Sequence, residues 1–389
     1  MSPRKICIVT GSRADYGLLY WPMRLIAEDD DFELQVVVTG MHLSPAFGET
    51  WRQIEADGFA IVSKVEMLLA GDSPVAVAKS VGLGVVGFAD TFERLRPDLL
   101  MVLGDRFEIF AAVQAALFAR IPVAHVCGGD ITEGAFDESI RHAITKMAHV
   151  HFPTNAGAAG RLLAMGENPE HVHTVGSPGL DRIRRMTFMA REVFFDTLRV
   201  TPLARNLLVV FHPATLDCGD PLAQLEELLA ALDTLGPEVG LLITGANADT
   251  AGQSINARLQ AFAESHPNAA FRLSLGSELF INALQHVDAI VGNSSSGLYE
   301  APSFGIPTVN IGDRQKGRLR AASVIDCALE RHAIRTAIDN ALTRGCLPPT
   351  VNPYGDGHTA ERMLDILHLI PDFGCLIRKP FFDAMGVRS

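Results

Sequence analysis

The chain has 389 residues, of which 48% are hydrophobic and 20% charged, and its formal net charge is -12. This length exceeds one ordinary domain core, and the composition excludes a largely disordered chain. The acidic balance argues against a nucleic-acid partner, because binding to phosphate backbones needs a basic surface. Without a visible signal peptide, membrane segment or paired cysteine spacing, we expect a cytoplasmic protein with no membrane partner.

Short apolar runs alternate with helical stretches along the chain. In order, the predicted strands of the first half are KICIVTG (5–11), FELQVVVTG (32–40), PDLLMVLGD (97–105), IPVAHVCGG (121–129) and VHFPT (150–154). After an interruption near 180–200, those of the second half are NLLVVFHP (206–213), EVGLLITG (238–245), AAFRLSL (269–275), DAIVGNS (288–294) and PTVNIG (307–312). Continuous apolar runs are typical of parallel strands that are covered on both faces. The sequence therefore predicts an α/β protein with two Rossmann-like, doubly wound domains.

The domain boundaries follow from this interruption. We place an N-terminal domain over 1–185, a C-terminal domain over 186–370, and a C-terminal helix over 371–389 that packs back on the first domain. Ligands of such sheets bind beyond the carboxyl ends of the strands. Polar and glycine-rich loops stand at those ends in both halves, so two facing edges would form a cleft that serves one site.

The loop GNSSSGLYE (292–300) has the composition of a phosphate-binding turn. Hydroxyl groups and backbone amides at a helix start suit a diphosphate, and Glu300 could hold ribose hydroxyls; a polar helix cap is the alternative. Arginines in GDRQKGR (312–318) and the turn GSRADYG (11–17) are further anion-binding candidates, with a surface N-cap as the alternative for the turn. GLGVVG (82–87) has the spacing of a dinucleotide fingerprint, but no strand precedes it, so it predicts close helix packing instead.

Three carboxylates in the first half of the chain and one histidine at the start of the second half are candidates for acid–base chemistry. Asp105 ends a buried strand, and Asp137 and Glu138 begin a helix close to the CGG turn. His212 ends the strand NLLVVFHP and could be either a catalytic or a phosphate-binding histidine. Several acids on one rim are what acid–base chemistry on a sugar needs, although helix capping and a structural ion pair are alternatives. The HVH pairs (149–151 and 171–173) lack a nearby cysteine or carboxylate at ligand spacing and predict ordinary strand positions.

Six motifs together resemble the hydrolysing UDP-N-acetylglucosamine 2-epimerases of sialic-acid biosynthesis and the related enzymes of legionaminic-type pathways. They are GSRADYGLL, VLGDRFE, GGDITEGAFDESIRHAITKMAH, VGSPGLD, GNSSSGLYEA and VNIGDRQKGR, and the similarity runs from about residue 5 to 370. The resemblance implies the two-domain fold of B-type glycosyltransferases and a UDP-sugar bound mainly by the C-terminal domain. It also implies a homodimer or homotetramer, with no metal and no cofactor.

The resemblance and the motifs together give roles to individual residues; the resemblance itself covers Arg13, Arg106, Ser294, Ser295, Glu300 and Arg318 as UDP contacts and Asp105, Asp137 and His212 as catalytic or sugar-contacting residues. The expected UDP-sugar contacts are Arg13, Arg106, Asn247, Ser294, Ser295, Gly297, Glu300, Arg314 and Arg318. The expected catalytic set is Asp105, Asp130, Asp137, Glu138 and His212, and the substrate rim includes Asp15, Cys127 and Arg141. The sialic-acid branch has a glutamate at the position of Cys127, so this cysteine favours a modified substrate such as UDP-2,4-diacetamido-2,4,6-trideoxyglucose, with Asp130 taking over the acid's role.

The resulting prediction is a hydrolysing UDP-HexNAc 2-epimerase. Such an enzyme eliminates UDP across C1–C2 to leave a glycal, then adds water at C1 and a proton to the opposite face of C2. The product is free ManNAc or 2,4-diacetamido-2,4,6-trideoxymannose. The alternatives are a B-type glycosyltransferase that uses a UDP-sugar and a non-catalytic UDP-sugar-binding protein.

Overall fold

The computed structural model describes residues 2–69, 73–131, 136–212, 220–246, 252–348 and 351–383. The chain forms two compact units: the first ends at Arg182 and resumes at Gly357, and the second is Ile183–Asp356. The sequence places these divisions after residues 185 and 370.

The first unit is built on one parallel sheet. Its strands are β1 (Arg4–Thr10), β2 (Phe32–Thr39), β3 (Ile61–Val65), β4 (Leu99–Leu103), β5 (Val123–Val126) and β6 (Val150–Phe152). Its helices are α1 (Arg13–Ala27), α2 (Trp51–Ala56), α3 (Pro74–Leu95), α4 (Phe107–Ala119), α5 (Phe136–Met147), α6 (Ala156–Ala164) and α7 (Gly179–Arg185), which crosses into the second unit. The strand order is β3-β2-β1-β4-β5-β6, and apolar clusters cover both faces of the sheet.

The second unit repeats this plan. Its strands are β7 (Arg205–Val210), β8 (Val239–Thr244), β9 (Ala269–Arg272), β10 (Ala289–Gly292), β11 (Thr308–Ile311) and β12 (Val324–Cys327), in the order β12-β11-β10-β7-β8-β9. Its helices are α8 (Arg191–Leu198), α9 (Pro221–Leu232), α10 (Gly252–Ser265), α11 (Gly276–His286), α12 (Ser296–Tyr299) and α13 (Arg331–Arg344). The predicted pair of doubly wound parallel sheets is confirmed.

Two strands, β3 and β12, have no counterpart among the ten predicted ones. Each lies at the edge of its sheet, and each alternates or mixes exposure along its length instead of being buried throughout. An edge strand needs no continuous apolar run, because one of its sides faces solvent. The prediction found the other two edge strands, β6 and β9, but missed these two.

The end of the chain returns to the first unit. Helix α14 (Thr359–Leu369) packs against α1, and its Met363 and Leu367 join the core beneath that helix. The buried Asp181 caps α14 by accepting hydrogen bonds from the backbone N–H groups of Thr359 and Ala360 at 3.1 and 2.9 Å. The predicted helix over 371–389 is wrong for its described part. A short 3-10 helix, Phe373–Ile377, is followed by irregular chain up to residue 383. Pro380 prevents a longer helix here, because proline has no backbone N–H to donate and its ring clashes with the preceding turn.

Helix α3 is the longest helix among the described residues. It is also the one described helix that is long and apolar enough to cross a membrane by length and composition. One side of α3 packs on the first sheet and on α4, where Gly84 lies against Ala111. The predicted packing role of GLGVVG is confirmed for this glycine.

Candidate active site

An ion pair joins two elements at the carboxyl edge of the first sheet. Asp105, two residues past β4, pairs with the guanidinium of Arg141 from α5. The same guanidinium donates to the backbone carbonyl of Asp130 at 2.5 Å, and its side chain is only 6% exposed. Because a buried guanidinium must be paired, Arg141 fixes the turn after β5 relative to the end of β4.

Asp137 lies in the first turn of α5 and belongs to the same cluster. Burial and the neighbouring Asp105 carboxylate raise the pKa of Asp137, although Arg106 and Arg141 act in the opposite direction. Two carboxylates and two guanidinium groups thus share one edge, with one carboxyl group biased towards its protonated form. Glu138, the next residue, instead faces His142 one turn along α5, at 3.6 Å.

A second charged cluster lies beside the first, at the ends of β1 and β4. Arg106 pairs with Glu108 at 2.9 Å, and the Glu108 side chain is completely buried with its Oε2 atom unpartnered. Glu108 fits against the chain because Gly40 has a φ of +57° and no side chain; a Cβ there would lie 2.7 Å from Glu108 Cγ. Burial raises the pKa of Asp15, in the first turn of α1, to about 6.

Cys127 follows β5 in a left-handed backbone conformation, with a φ of +63°. Its N–H donates to the carbonyl of Phe152 at 3.0 Å, so pairing with β6 continues to this residue. Burial raises the pKa of the Cys127 thiol, so the group is a neutral thiol at physiological pH. A non-glycine residue at positive φ stores strain, which is common next to functional sites.

Two buried contacts support the turns on either side of Cys127. His125 contacts the carbonyl oxygen of Gly104 through Nε2 at 2.8 Å, and burial lowers its pKa to about 3. The imidazole is therefore neutral and holds the turn that carries Asp105. The Asp130 carboxylate accepts a hydrogen bond from Thr154 Oγ1 at 2.9 Å.

The second unit has its own polar edge, centred on Asn293. The Asn293 side chain accepts from the backbone N–H of His212 and donates to the His212 carbonyl, both at 2.8 Å. This reciprocal pair joins the ends of β7 and β10. The preceding Gly292, with a φ of +143°, permits the approach, because a side chain there would collide with the Val210 carbonyl. Burial and the nearby Arg314 lower the pKa of His212 to about 4, so its imidazole is neutral.

The serine-rich loop after β10 leads into one turn of helix. Helix α12 has only four residues, so its dipole can contribute no more to anion binding than a single helical turn does. The other hydrogen-bond donors of this loop are backbone amides and hydroxyl groups. Ser294 Oγ accepts from the backbone N–H of Ser296 at 3.3 Å, and Ser295 immediately precedes the helix. Gly297 is buried, and a Cβ there would lie 2.5 Å from Thr308 Cγ2, so this glycine allows close packing on β11. Glu300 has a buried Oε2 atom without a partner, and burial raises the pKa of this carboxyl group.

Two arginines of GDRQKGR are held near this loop. Arg314 and the buried Gln315 both donate to the backbone carbonyl of Asn293, at 3.0 and 2.8 Å. Arg318 donates to the Gln315 side chain at 2.7 Å, and its guanidinium lies 5.6 Å from the centre of the Tyr299 ring. Cations, hydroxyl groups and a buried acid thus surround one edge, as binding a nucleoside diphosphate requires.

Comparison with known proteins identifies the family. The sequence profile of the UDP-N-acetylglucosamine 2-epimerase family matches residues 24–368. The chain belongs to this family. The GDP/UDP-N,N'-diacetylbacillosamine 2-epimerase (hydrolyzing) of Campylobacter jejuni is 41% identical over 327 residues, which cover 84% of this chain and 85% of that protein. The UDP-N,N'-diacetylbacillosamine 2-epimerase (hydrolyzing) of Legionella pneumophila is 36% identical, covering 97% and 98% of the two chains.

A solved structure of this epimerase family confirms the fold. The UDP-GlcNAc 2-epimerase of Neisseria meningitidis, bound to UDP-GlcNAc, matches with a TM-score of 0.78 at 17% identity and covers 94% of this chain and all of that one. The likeness confirms the predicted B-type glycosyltransferase architecture.

The epimerase fold brings most of the predicted site residues to two edges. Asp105, Asp130, Asp137 and Arg141 form one connected cluster in the first unit, whereas Arg13 is exposed at the first residue of α1. Asn247 lies outside the described residues. Sequence reasoning assigned no role to Glu108, His125, Asn293 or Gln315. Glu108, Asn293 and Gln315 belong to the sequence motifs given above, but only the fold shows that they are buried and hydrogen-bonded.

One group among the described residues could offer three ligands to a metal ion. It comprises Asp29, Asp31 and His368, and it is largely exposed. Asp29 and Asp31 precede β2, so the group lies at the amino edge of the sheet, opposite the candidate site. We assign it no role in the chemistry.

Proposed function

We propose that the protein is a hydrolysing 2-epimerase that acts on UDP-2,4-diacetamido-2,4,6-trideoxyglucose, whose sugar has the trivial name N,N'-diacetylbacillosamine. The observation that carries the activity is the cluster of Asp105, Asp137 and Arg141, in which one carboxyl group is paired with a guanidinium and the other has a raised pKa. The substrate is supported by the names of the two relatives at 41% and 36% identity. Cys127, in place of the acid of the sialic-acid branch, supports the same choice.

The reaction begins with removal of UDP from the sugar. A carboxylate takes the proton from C2 while the C1–O bond breaks, so the electron pair of the C2–H bond forms the C1–C2 double bond and UDP leaves with the bonding pair to oxygen. The C2 proton has no neighbouring carbonyl to acidify it, so stabilising the departing diphosphate is the main requirement. We assign that task to Ser294, Ser295, Arg314 and Arg318, with neutral His212 as a hydrogen-bonding partner.

Hydration of the glycal completes the reaction. A proton adds to C2 on the face opposite to the one it left, and water adds at C1, giving the free 2-epimer with atoms and charge balanced. Two acid–base groups with different proton affinities suit this sequence. We assign the proton-donating role to Asp137, because its pKa is raised, and the base role to Asp105, which forms an ion pair with Arg141.

Turnover in D2O followed by NMR tests the proposal. The protein is incubated separately with the UDP-linked diacetamido sugar, its GDP-linked form and UDP-GlcNAc, without acceptor. We expect UDP and the free manno-configured diacetamido sugar with deuterium at C2. Turnover of UDP-GlcNAc alone would overturn the substrate. Sugar release without deuterium at C2, or release only with an added acceptor, would overturn the activity.

A further inference from the structure

The last described residues of the chain form a strap across the carboxyl end of α5. This strap, defined as residues 378–383, follows the short 3-10 helix and is irregular in conformation. The backbone N–H of Phe382 donates to the carbonyl of Gly166 at 2.9 Å, and the Phe381 ring lies so close to this glycine that a Cβ there would come within 2.4 Å of it. The match to the family profile ends at residue 368, so membership of the family does not account for the strap.

Lys379 anchors the strap to the end of α5. Its ammonium group donates to three backbone carbonyls there, those of Thr145, Lys146 and Ala148, at 3.0, 3.1 and 2.6 Å. It also forms an ion pair with Glu167 at 2.6 Å. The last carbonyls of a helix have no partner within the helix, so a cation at this place satisfies them and complements the helix dipole. One side chain of the strap thus caps α5.

The carboxylate that pairs with Lys379 is itself fixed to the first sheet. Glu167 is buried, and its Oε2 atom contacts both Lys379 and His151 of β6, while its Oε1 atom accepts from Lys146 at 2.7 Å. Burial acts to raise the pKa of Glu167, but these hydrogen bonds lower it to about 2, so the group is an anion. The ammonium group of Lys379 therefore joins α5 to a fixed charge beside β6.

Helix α5 carries two groups of the candidate site towards its other end. Asp137 and Lys146 are about 14 Å apart along the helix axis, and Arg141 lies between them. Arg141 in turn joins Asp105 to the turn after β5. A helix of this length moves as one rigid element, so a shift at its capped end displaces both site groups together. Displacement of a reacting group by about 1 Å can lower a rate about 100-fold.

A second contact links the capped end of α5 to the turn that carries Asp105. The Nε2 atom of His125 contacts the Gly104 carbonyl, which can only accept a hydrogen bond, so Nε2 carries the proton of this neutral imidazole. Its Nδ1 atom therefore accepts from the Thr145 hydroxyl, at 3.4 Å. Thr145 is also one of the residues whose carbonyl accepts from Lys379. The cap thus bears on both carboxylates of the candidate site.

We propose that Lys379 is a positioning residue of the epimerase: through the strap it fixes α5, and thereby the placement of Asp137 and Arg141 at the reacting sugar. This inference rests on the proposed function, because the role of Asp137 comes from it. Lys379 acts from the far end of the helix and does not touch the reacting atoms. Its loss should therefore slow the chemical step, whereas UDP, whose diphosphate we assign to loops of the second unit, should bind as before.

Hydrogen–deuterium exchange tests the hold on α5 without any substrate. Mass spectrometry of peptides over 136–148 compares the full-length wild type with Lys379→Met, Lys379→Arg and Lys146→Met, and peptides from α9 report on global unfolding. We expect exchange at least about fivefold faster in Lys379→Met, since three carbonyls lose their donor, and within about twofold of the wild type in Lys379→Arg, which keeps a cation with several donors. Lys146→Met is the matched control, because it removes the other ammonium group from Glu167 but none of the contacts to the α5 carbonyls.

Kinetics test the consequence for catalysis. With the UDP-linked diacetamido sugar, kcat of Lys379→Met should fall at least about tenfold, whereas its affinity for UDP in calorimetric titration should stay within about twofold of the wild type. Lys379→Arg should recover kcat to within about threefold, and Lys146→Met should keep it within about twofold. A merely structural lysine would lower the free energy of unfolding and leave kcat per folded molecule unchanged, so these measurements separate positioning from stability.

Several outcomes would overturn the proposal. They are wild-type exchange of α5 in Lys379→Met, an unchanged kcat in spite of faster exchange, and failure of Lys379→Arg to recover both properties. Equal effects in Lys146→Met would also overturn it, because they would assign the effect to the charge balance at Glu167 and not to the cap on α5. Absence of turnover by the wild type would instead remove the proposed function, and the exchange measurements would still show whether the strap holds α5.

Discussion

Arg141 holds Asp105 and the turn after β5 at the same time, through one guanidinium that is almost completely buried. Its two contacts use two nitrogen atoms, Nη2 towards the Asp105 carboxylate and Nη1 towards the Asp130 carbonyl. A lysine could not make both contacts from one point charge. The position of the carboxylate and the position of the turn are therefore set together.

Asp105→Asn should lower the rate of UDP release at least about 100-fold, because the amide cannot take a proton from carbon and loses its ion pair with Arg141. Asp98→Asn is the matched control: Asp98 precedes the same strand and accepts from the backbone N–H of Lys5 at 2.7 Å, a bond that an amide oxygen also accepts. Coupled detection of UDP measures both variants. Near-normal release by Asp105→Asn would remove this residue from the catalytic set.

Glu108→Gln should weaken UDP binding about tenfold and raise KM more than it lowers kcat. The buried carboxylate aligns Arg106, and a neutral amide holds a guanidinium less strongly. Calorimetric titration with UDP measures the effect. In Glu226→Gln, which disrupts the exposed pair with Arg258, UDP affinity should not change. Equal affinities of the two variants would show that Glu108 does not position Arg106.

Asp15→Asn should remove part of the pH dependence of stability. Burial raises the pKa of Asp15 from 3.8 to about 6, so between these values the folded state binds more protons than the unfolded state, and the free energy of unfolding falls as pH rises through this window. Without the titrating group, the variant should gain up to about 3 kcal/mol over the wild type at pH 7 and nothing at pH 3. Urea unfolding at several pH values measures this difference; a constant offset would contradict the assignment.

Asn293→Ala should destabilise the second unit by about 1–3 kcal/mol and weaken UDP binding, because it removes both hydrogen bonds between the Asn293 side chain and the buried backbone of His212. Asn268→Ala provides the comparison. Asn268 donates to the carbonyls of Gly236 and Val239 at the opposite edge of the same sheet, so its loss should lower stability without changing UDP affinity. Parallel losses of affinity in both variants would mean that general destabilisation, not the loop geometry, controls binding.

The sequence predicts the buried central strands of the fold and misses two of the edge strands. The central strands are continuous apolar runs, so their pattern reports directly on burial from both faces. The edge strands β3 and β12 depend on pairing with β2 and β11, and no local pattern encodes that pairing. The conformation of the C-terminal segment was mispredicted for a similar reason, because it follows from contacts within the first unit and not from a local sequence pattern.

The residues of the candidate site could also be predicted only in part. The rule that ligands bind at the carboxyl ends of strands was enough to single out Asp105, Asp137 and His212. A role for Glu108 was not predicted, because an acidic residue in the first turn of a helix is usually exposed to solvent. Only the fold shows that Glu108 is fully buried beside Gly40. His125 was not predicted because it stands inside the apolar run of β5, and the sequence alone does not show its hydrogen bond to the Gly104 carbonyl.

In topological terms, the second unit is an insertion into the first, and the contact between Asp181 and α14 joins the two ends of the first unit at the insertion point. The chain leaves the first unit at Arg182 and returns at Gly357, and the residues next to these two points are bonded to each other through one carboxylate. A segment of more than 170 residues thus begins and ends at neighbouring positions of its host. Closing so short a gap costs little loop entropy. The first unit should therefore accept replacement of residues 183–356 by a short glycine-rich linker and keep α14 in its core, as a scaffold into which other domains can be inserted.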